Sequence, residues 1–217
     1  MKKLLALALV GAFAGTFVMA AMAANEPVKI AKVSGIKIDG KIDDWSAVKP
    51  INVAGDDYAA DAAAVADNSF AFYGGYDAKC LYVAFDVITP VVSFWQDMGS
   101  VWNQTGLEIF LGGAQWGFGN DADGNGAFAS WKDGGKECKV TRTAKGFICE
   151  ASFDMAFIND NYADAVGATL APGAEFQFSF GVDMTDTEGG TRTGQLYYPI
   201  DWAWNQVDTF ATATLVK

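Results

Sequence analysis

Short runs in which apolar and polar residues alternate one for one constrain this chain more than any other feature. Leu81, Val83, Phe85 and Val87 fall on one side of an extended segment, with Tyr82, Ala84 and Asp86 on the other. Phe176, Phe178, Phe180 and Val182 repeat the pattern against Glu175, Gln177, Ser179 and Gly181. A period of two lays an apolar face along a strand and scatters it around a helix. Further strand candidates lie at residues 28–33, 70–76, 107–111, 127–131, 137–141, 147–153 and 210–216. Turn-forming Gly, Asp and Asn separate the runs. The spacing predicts an all-β domain, a single antiparallel β-sandwich of jelly-roll or immunoglobulin-like type. Residues 57–67 have helix-forming composition and are expected to add one or two helical turns. No linker or internal repeat divides the chain.

The N-terminus has a different pattern. Lys2 and Lys3 precede an apolar stretch from Leu4 to Met19, and Ala21-Met22-Ala23 follows as a small-x-small site. That is the order of a signal peptide, so residues 1–24 are expected to be removed and residues 25–217 to form the domain. The expected location is periplasmic or extracellular. No later segment is long and apolar enough to span a bilayer. Without Lys2 and Lys3, the 15 basic residues of the chain fall to 13, against 26 acidic ones. Such a surface repels phosphate backbones, which argues against nucleic acid and favours a neutral ligand or divalent cations.

The chain contains no histidine. Ser-His-Asp and Cys-His nucleophilic machinery, His-ligated zinc and His-ligated haem are thereby excluded. Of three cysteines, Cys138 and Cys149 flank a hairpin signal. A turn centred near Thr143 and Ala144 would set them opposite one another for a disulfide, and a bulged turn would not. Cys80, within Lys-Cys-Leu-Tyr-Val-Ala-Phe, reads as a small buried hydrophobe.

Most tryptophans adjoin amide or carboxylate side chains rather than sitting inside apolar runs: Trp95-Gln96-Asp97, Trp102-Asn103-Gln104, Gln115-Trp116, and Asp201-Trp202-Ala203-Trp204-Asn205-Gln206. A pyranose offers C–H bonds on one face and a rim of hydroxyls. An indole face attracts the first, and polar side chains hydrogen-bond the second. Each of these tryptophans also fits an ordinary core or edge position of a sandwich. Trp45 reads as core, and Trp131 fits either role. Alternation along Leu107, Ile109 and Leu111 sends Glu108 to the opposite face from those residues.

Five segments in order resemble family 9 carbohydrate-binding modules and their DOMON-like relatives. These are Ile38-Asp-Gly-Lys-Ile-Asp-Asp-Trp45, Tyr76-Asp-Ala-Lys-Cys-Leu-Tyr-Val-Ala-Phe-Asp86, Trp102-Asn-Gln-Thr-Gly-Leu-Glu-Ile-Phe-Leu111, Lys145-Gly-Phe-Ile-Cys-Glu-Ala-Ser-Phe153 and the closing strand at 210–216. The resemblance implies a non-catalytic β-sandwich with a mono-, oligo- or polysaccharide held between two tryptophans, polar contacts beside them, and structural calcium. By position, Trp102 matches the first clamp residue and Glu108 a polar contact. Trp204, with Trp202 as the alternative, takes the second clamp position, and Arg192 lies upstream as a further polar contact. Thr105-Gly106-Leu107 and Gly112-Gly113 depart from the family pattern, each lacking an acid usual there.

Asp121, Asp123 and Asn125 carry oxygens at alternate positions ahead of Gly126, as in the front half of a calcium loop. Lys132 occupies the position where an EF-hand needs its bidentate Glu, so any calcium here would draw on distant oxygens. A glycosidase would need two acids facing across a cleft, and no sequence feature pairs any two. Two other functional classes remain on such a sandwich. One is a haem-binding redox subunit using Met98, Met155 or Met184 with a Lys, for which no haem is expected here. The other is a structural or adhesive cell-surface protein. Oligomeric state is not legible in the sequence.

Overall fold

The computed structural model describes residues 26–55, 67–93, 99–121, 123–199 and 203–217. The expected signal peptide and nearly all of the helical stretch predicted at 57–67 lie outside them. So do Trp95, Met98 and Trp202.

Among the described residues, twelve strands form two packed sheets that share β1 (Val28–Lys32). The first runs β7 (Gly126–Phe128), β6 (Ala114–Asn120), β5 (Gly106–Leu111), β10 (Glu175–Met184), β12 (Ala211–Leu215) and β1, and β11 (Gly194–Tyr198) also pairs with β10. The second runs β1, β3 (Ser69–Tyr76), β4 (Cys80–Ile88), β9 (Gly146–Asp154) and β8 (Gly135–Arg142), and β2 (Ile51–Ala54) pairs with β3. Strand β1 crosses between the sheets. Val28 to Ile30 pair with β12, and Ala31 and Lys32 pair with β3. Both pairings of β1 are parallel, whereas the others are antiparallel.

The predicted alternation holds where it was clearest. Leu81, Val83, Phe85 and Val87 are buried in the main core, as are Phe176, Phe178, Phe180 and Val182. Aromatic rings join the two layers. Phe72 of one sheet stacks on Phe180 of the other with centroids 3.8 Å apart, and Phe180 stacks in turn on Tyr198. Rings of this size supply much of the apolar burial that holds a sandwich together.

The outer face of the second sheet is covered by the segment following β1. Trp45 and Val48 pack there against Ala84, with Tyr73 and Tyr82 alongside. Trp45 is fully buried. Its indole Nε1–H donates to Glu150 Oε1 at 2.7 Å, and Glu150 Oε2 accepts the backbone N–H groups of Asp39, Gly40 and Lys41. One carboxylate thus pins the whole Ile38–Trp45 segment to β9.

A helix unforeseen in the sequence, α1 (Met155–Val166), follows β9 directly. Asp154 caps it, its side chain accepting from the Phe157 N–H, and Gly167 ends it. Tyr162 of α1 packs on the edge of Trp116, and the Lys132 ammonium lies 4.4 Å from the Tyr162 ring centroid.

The hairpin carrying Cys138 and Cys149 departs from expectation by one residue. Its turn is centred on Ala144 and Lys145, with Thr143 N–H donating to the Gly146 carbonyl. Val140 therefore faces Cys149, and Cys138 faces Ala151. The two cysteines are diagonal neighbours, both free thiols, with Sγ atoms 3.8 Å apart. That is far beyond a disulfide bond of about 2.05 Å. Burial pushes the Cys149 thiol well above its ordinary pKa. Cys80 is buried, as its surroundings indicated.

Candidate functional site

On the outer face of the first sheet, strict alternation gathers a polar patch. The inward residues of β5, β6, β10 and β11 include Leu107, Trp116, Val182 and Leu196. The outward positions are then Glu108, Gln115 and Gly117, Gly181 and Asp183, and Gln195 and Tyr197. Glu108 stands opposite Gly117 on one neighbouring strand and Gly181 on the other. Neither glycine tolerates a side chain. A Cβ at Gly117 would come within 2.6 Å of Val101 and 2.9 Å of Trp131, and one at Gly181 would overlap the Tyr197 ring. Trp131 and Tyr197 thus close over the sheet on either side of Glu108.

A cavity of ≈ 520 Å³ opens on this patch. Trp102, Trp131 and Trp204 provide its aromatic surfaces, and Glu108, Gln115, Arg192 and Gln195 its polar ones. Trp204 is 65 % exposed and Trp102 37 %, so both present indole to solvent. Trp102 leans on Trp131 with centroids 5.2 Å apart and rings tilted by 53°.

Two buried carboxylates organise the polar groups. Glu108, 2 % exposed, accepts Gln115 Nε2–H at 2.7 Å on Oε1 and the Tyr197 hydroxyl on Oε2. Asp183 is fully buried, and its Oδ1 accepts Gln195 Nε2–H at 2.8 Å and Arg192 Nη1–H at 3.3 Å. Asp183 Oδ2 has no hydrogen-bond partner among the described residues. Burial raises the Glu108 carboxyl above its ordinary value, against the opposing effects of Tyr197, Gln115 and Arg192. Asp183 is raised well above its own by burial and then by the charge of Glu108. Tyr197 is raised by burial and by both acids.

These shifts have a consequence for stability. An acid whose folded pKa is raised binds its proton more tightly in the native state. Its contribution is fully present below the ordinary values, 4.5 for Glu108 and 3.8 for Asp183, and is lost as pH rises through the raised pKa. Asp154, held low by the Phe157 N–H, acts in the opposite sense but lies at the surface, where screening makes its effect small. The urea midpoint is therefore expected to be higher at pH 5 than at pH 8. Glu108→Gln and Asp183→Asn should each reduce the difference, and a midpoint that rises steadily from pH 5 to pH 8 would refute this assignment.

Four residues singled out in the sequence, Trp102, Glu108, Arg192 and Trp204, meet at this one cavity. Trp131 joins them. Asp183, Gln195 and Tyr197 were not foreseen; their signal was the alternation of Gln195 and Tyr197 with Leu196 in β11, opposite the polar positions of β10. Asp121, Asp123 and Asn125 lie in the turn between β6 and β7. Asp121 Oδ1 there accepts the backbone N–H groups of Asp123 and Asn125. Among the described residues no three His, Cys, Asp or Glu side chains converge as a metal group. Met155 and Met184 are buried in the apolar core. No described helix is long and apolar enough to cross a membrane.

The architecture is thus a β-sandwich with an aromatic-walled, polar-floored cavity on the outer face of one sheet. It is similar to two solved structures of a family 9 carbohydrate-binding module from Caldicellulosiruptor kristjanssonii, one in complex with cellotriose and one in complex with glucose. The TM-scores are 0.64 and 0.63, at 17 % identity, over 88 % of this chain and 94 % and 95 % of those chains. The domain is accordingly like a family 9 carbohydrate-binding module in fold. No protein-family model matches the chain, and no curated protein does.

Proposed function

We propose that this chain is an exported, non-catalytic carbohydrate-binding module. Its ligand is a mono-, oligo- or polysaccharide that lays a pyranose face on Trp204 and Trp102 and its hydroxyls on Glu108, Gln115, Arg192 and Gln195. The observation that carries this reading is the pairing of exposed indoles with a floor of oriented donors and acceptors in one cavity. Sugars need both, because C–H faces favour aromatic rings while each buried hydroxyl needs a hydrogen-bond partner. The glucose and cellotriose bound by the structural neighbours support the same ligand class.

The carboxylates favour binding over hydrolysis. Hydrolysis needs two acids facing across the scissile bond. Glu108 and Asp183 instead lie on the same face of adjacent strands, and Asp183 is absent from the cavity lining. Each is engaged with neighbouring side chains. Structural calcium at the Asp121 turn is an accessory to this reading. A melting temperature unmoved by calcium or chelator would assign those residues to the turn alone.

Tryptophan fluorescence of residues 25–217, titrated with glucose, cellobiose and a soluble polysaccharide, tests the proposal. A saturable shift is expected with at least one of them. A flat response across the panel, from protein shown to be folded, would remove the saccharide reading and leave the sandwich standing.

A further inference from the structure

We propose that Asp183 is the positioning residue of the saccharide site, touching no ligand itself but orienting the Arg192 guanidinium and the Gln195 amide that face the cavity. The inference rests on the saccharide reading of that cavity. Asp183 is fully buried and does not line the cavity, while the two side chains that donate to its Oδ1 both do. Gln195 is also its direct cross-strand partner, so the hydrogen bond fixes the amide of a residue already held by the β10–β11 ladder. Arg192 has no such support. It lies in the connection between β10 and β11, its side chain is 32 % exposed, and its ion pair with Asp183 ties the guanidinium to the sheet.

A purely structural role accounts poorly for this carboxylate. It is removed from water, its Oδ2 has no partner among the described residues, and a second buried carboxylate, Glu108, stands nearby. Each of these features costs stability, and a neutral residue of similar shape would serve the sheet as well or better. What only an acceptor at this position supplies is a shared anchor for two cavity donors. Ordering both before the ligand arrives spares the complex the entropy of immobilising them on binding. Glu108 does the same on the other side of the floor for Gln115, but as a cavity residue it also meets the ligand.

The test is a double-mutant cycle read by cellobiose affinity, with a ligand-free measurement beside it. Asp183→Ala and Arg192→Ala are each expected to weaken binding about 10-fold. The double variant should lose about 10- to 20-fold rather than the roughly 100-fold product of independent effects. Asp183→Asn, which keeps an acceptor for Gln195 and Arg192, should recover most of the loss, and its melting temperature at neutral pH should not fall below that of the wild type. Hydrogen exchange of the Gln195 side-chain amide and the Arg192 guanidinium, followed by NMR, should accelerate in Asp183→Ala. Losses that multiply, or exchange rates that do not change, would overturn the proposal. Wild-type protein that binds no saccharide would instead overturn the functional reading on which it rests. The exchange measurement would then still decide whether Asp183 orders the two donors.

Discussion

Replacing Trp204 by alanine is expected to weaken saccharide binding roughly 30- to 140-fold, or about 2–3 kcal/mol, with the unfolding midpoint almost unchanged. The reason lies in where the ring sits. Trp204 is 65 % exposed, so it contributes little to the core, and its removal should change stability by no more than about 0.5 kcal/mol. It nevertheless lines the cavity, and a flat indole is the largest apolar surface a pyranose can meet there. Phe157 is the control. It is also exposed, at 37 %, but lies on α1 away from the cavity lining, and Phe157→Ala should leave affinity intact. Trp102→Ala should cost a similar factor in affinity together with some stability, because that ring also packs on Trp131. Equal binding by wild type and Trp204→Ala, measured by calorimetry, would show that the exposed ring is not part of the ligand surface.

The site was legible wherever a single residue carried its own chemistry. Trp102 and Trp204 stood beside amides in the sequence, and alternation alone sent Glu108 to the outer face. Its burial was not legible, because it depends on two glycines of other strands. Gly117 and Gly181 admit Trp131 and Tyr197 over the sheet, and only the register reveals that both flank Glu108. Strand β11 was hidden for a related reason. In Gly194–Tyr198 the two tyrosines follow one another, and tyrosine suits either face of a strand, so the period of two is blurred. Asp183 then had no visible partner, since Gln195 was not on a recognised strand.

The fold was read best in its central strands and worst at its connections. Strands β4 and β10 have long alternating runs, and both lie between neighbours in their sheets. Helix α1 was missed because its apolar residues form a weak stripe, with only Met155, Ile158 and Val166 buried. The caps Asp154 and Gly167 were the available signals. The β8–β9 turn shows how much one residue matters. Moving its centre to Ala144 and Lys145 turns an opposed cysteine pair into a diagonal one.

Glu150→Ala is expected to lower unfolding stability by about 3–5 kcal/mol, because several charge-assisted hydrogen bonds to N–H groups are lost at once, each of about 1.5–3 kcal/mol. On a domain of this size that is a fall of roughly 10 °C in melting temperature. Glu150 is fully buried, and its two oxygens accept four N–H groups: the indole of Trp45 at 2.7 Å and the backbone of Asp39, Gly40 and Lys41 at 3.0, 2.6 and 3.2 Å. Alanine removes every acceptor at once and leaves buried donors without partners, the costlier way to lose hydrogen bonds. The segment released carries Trp45 and Val48, whose burial covers Ala84 on the outer face of the second sheet. Glu150→Gln should lose less, because one amide oxygen can still serve the backbone N–H groups while its NH₂ faces the Trp45 indole N–H. Affinity for cellobiose, measured well below the melting temperature, should survive in both variants, because the cavity lies on the opposite sheet. Urea unfolding followed by tryptophan fluorescence reads the stability directly. A loss below about 1 kcal/mol in Glu150→Ala would mean that the Ile38–Trp45 segment is held by its apolar contacts and not by this carboxylate.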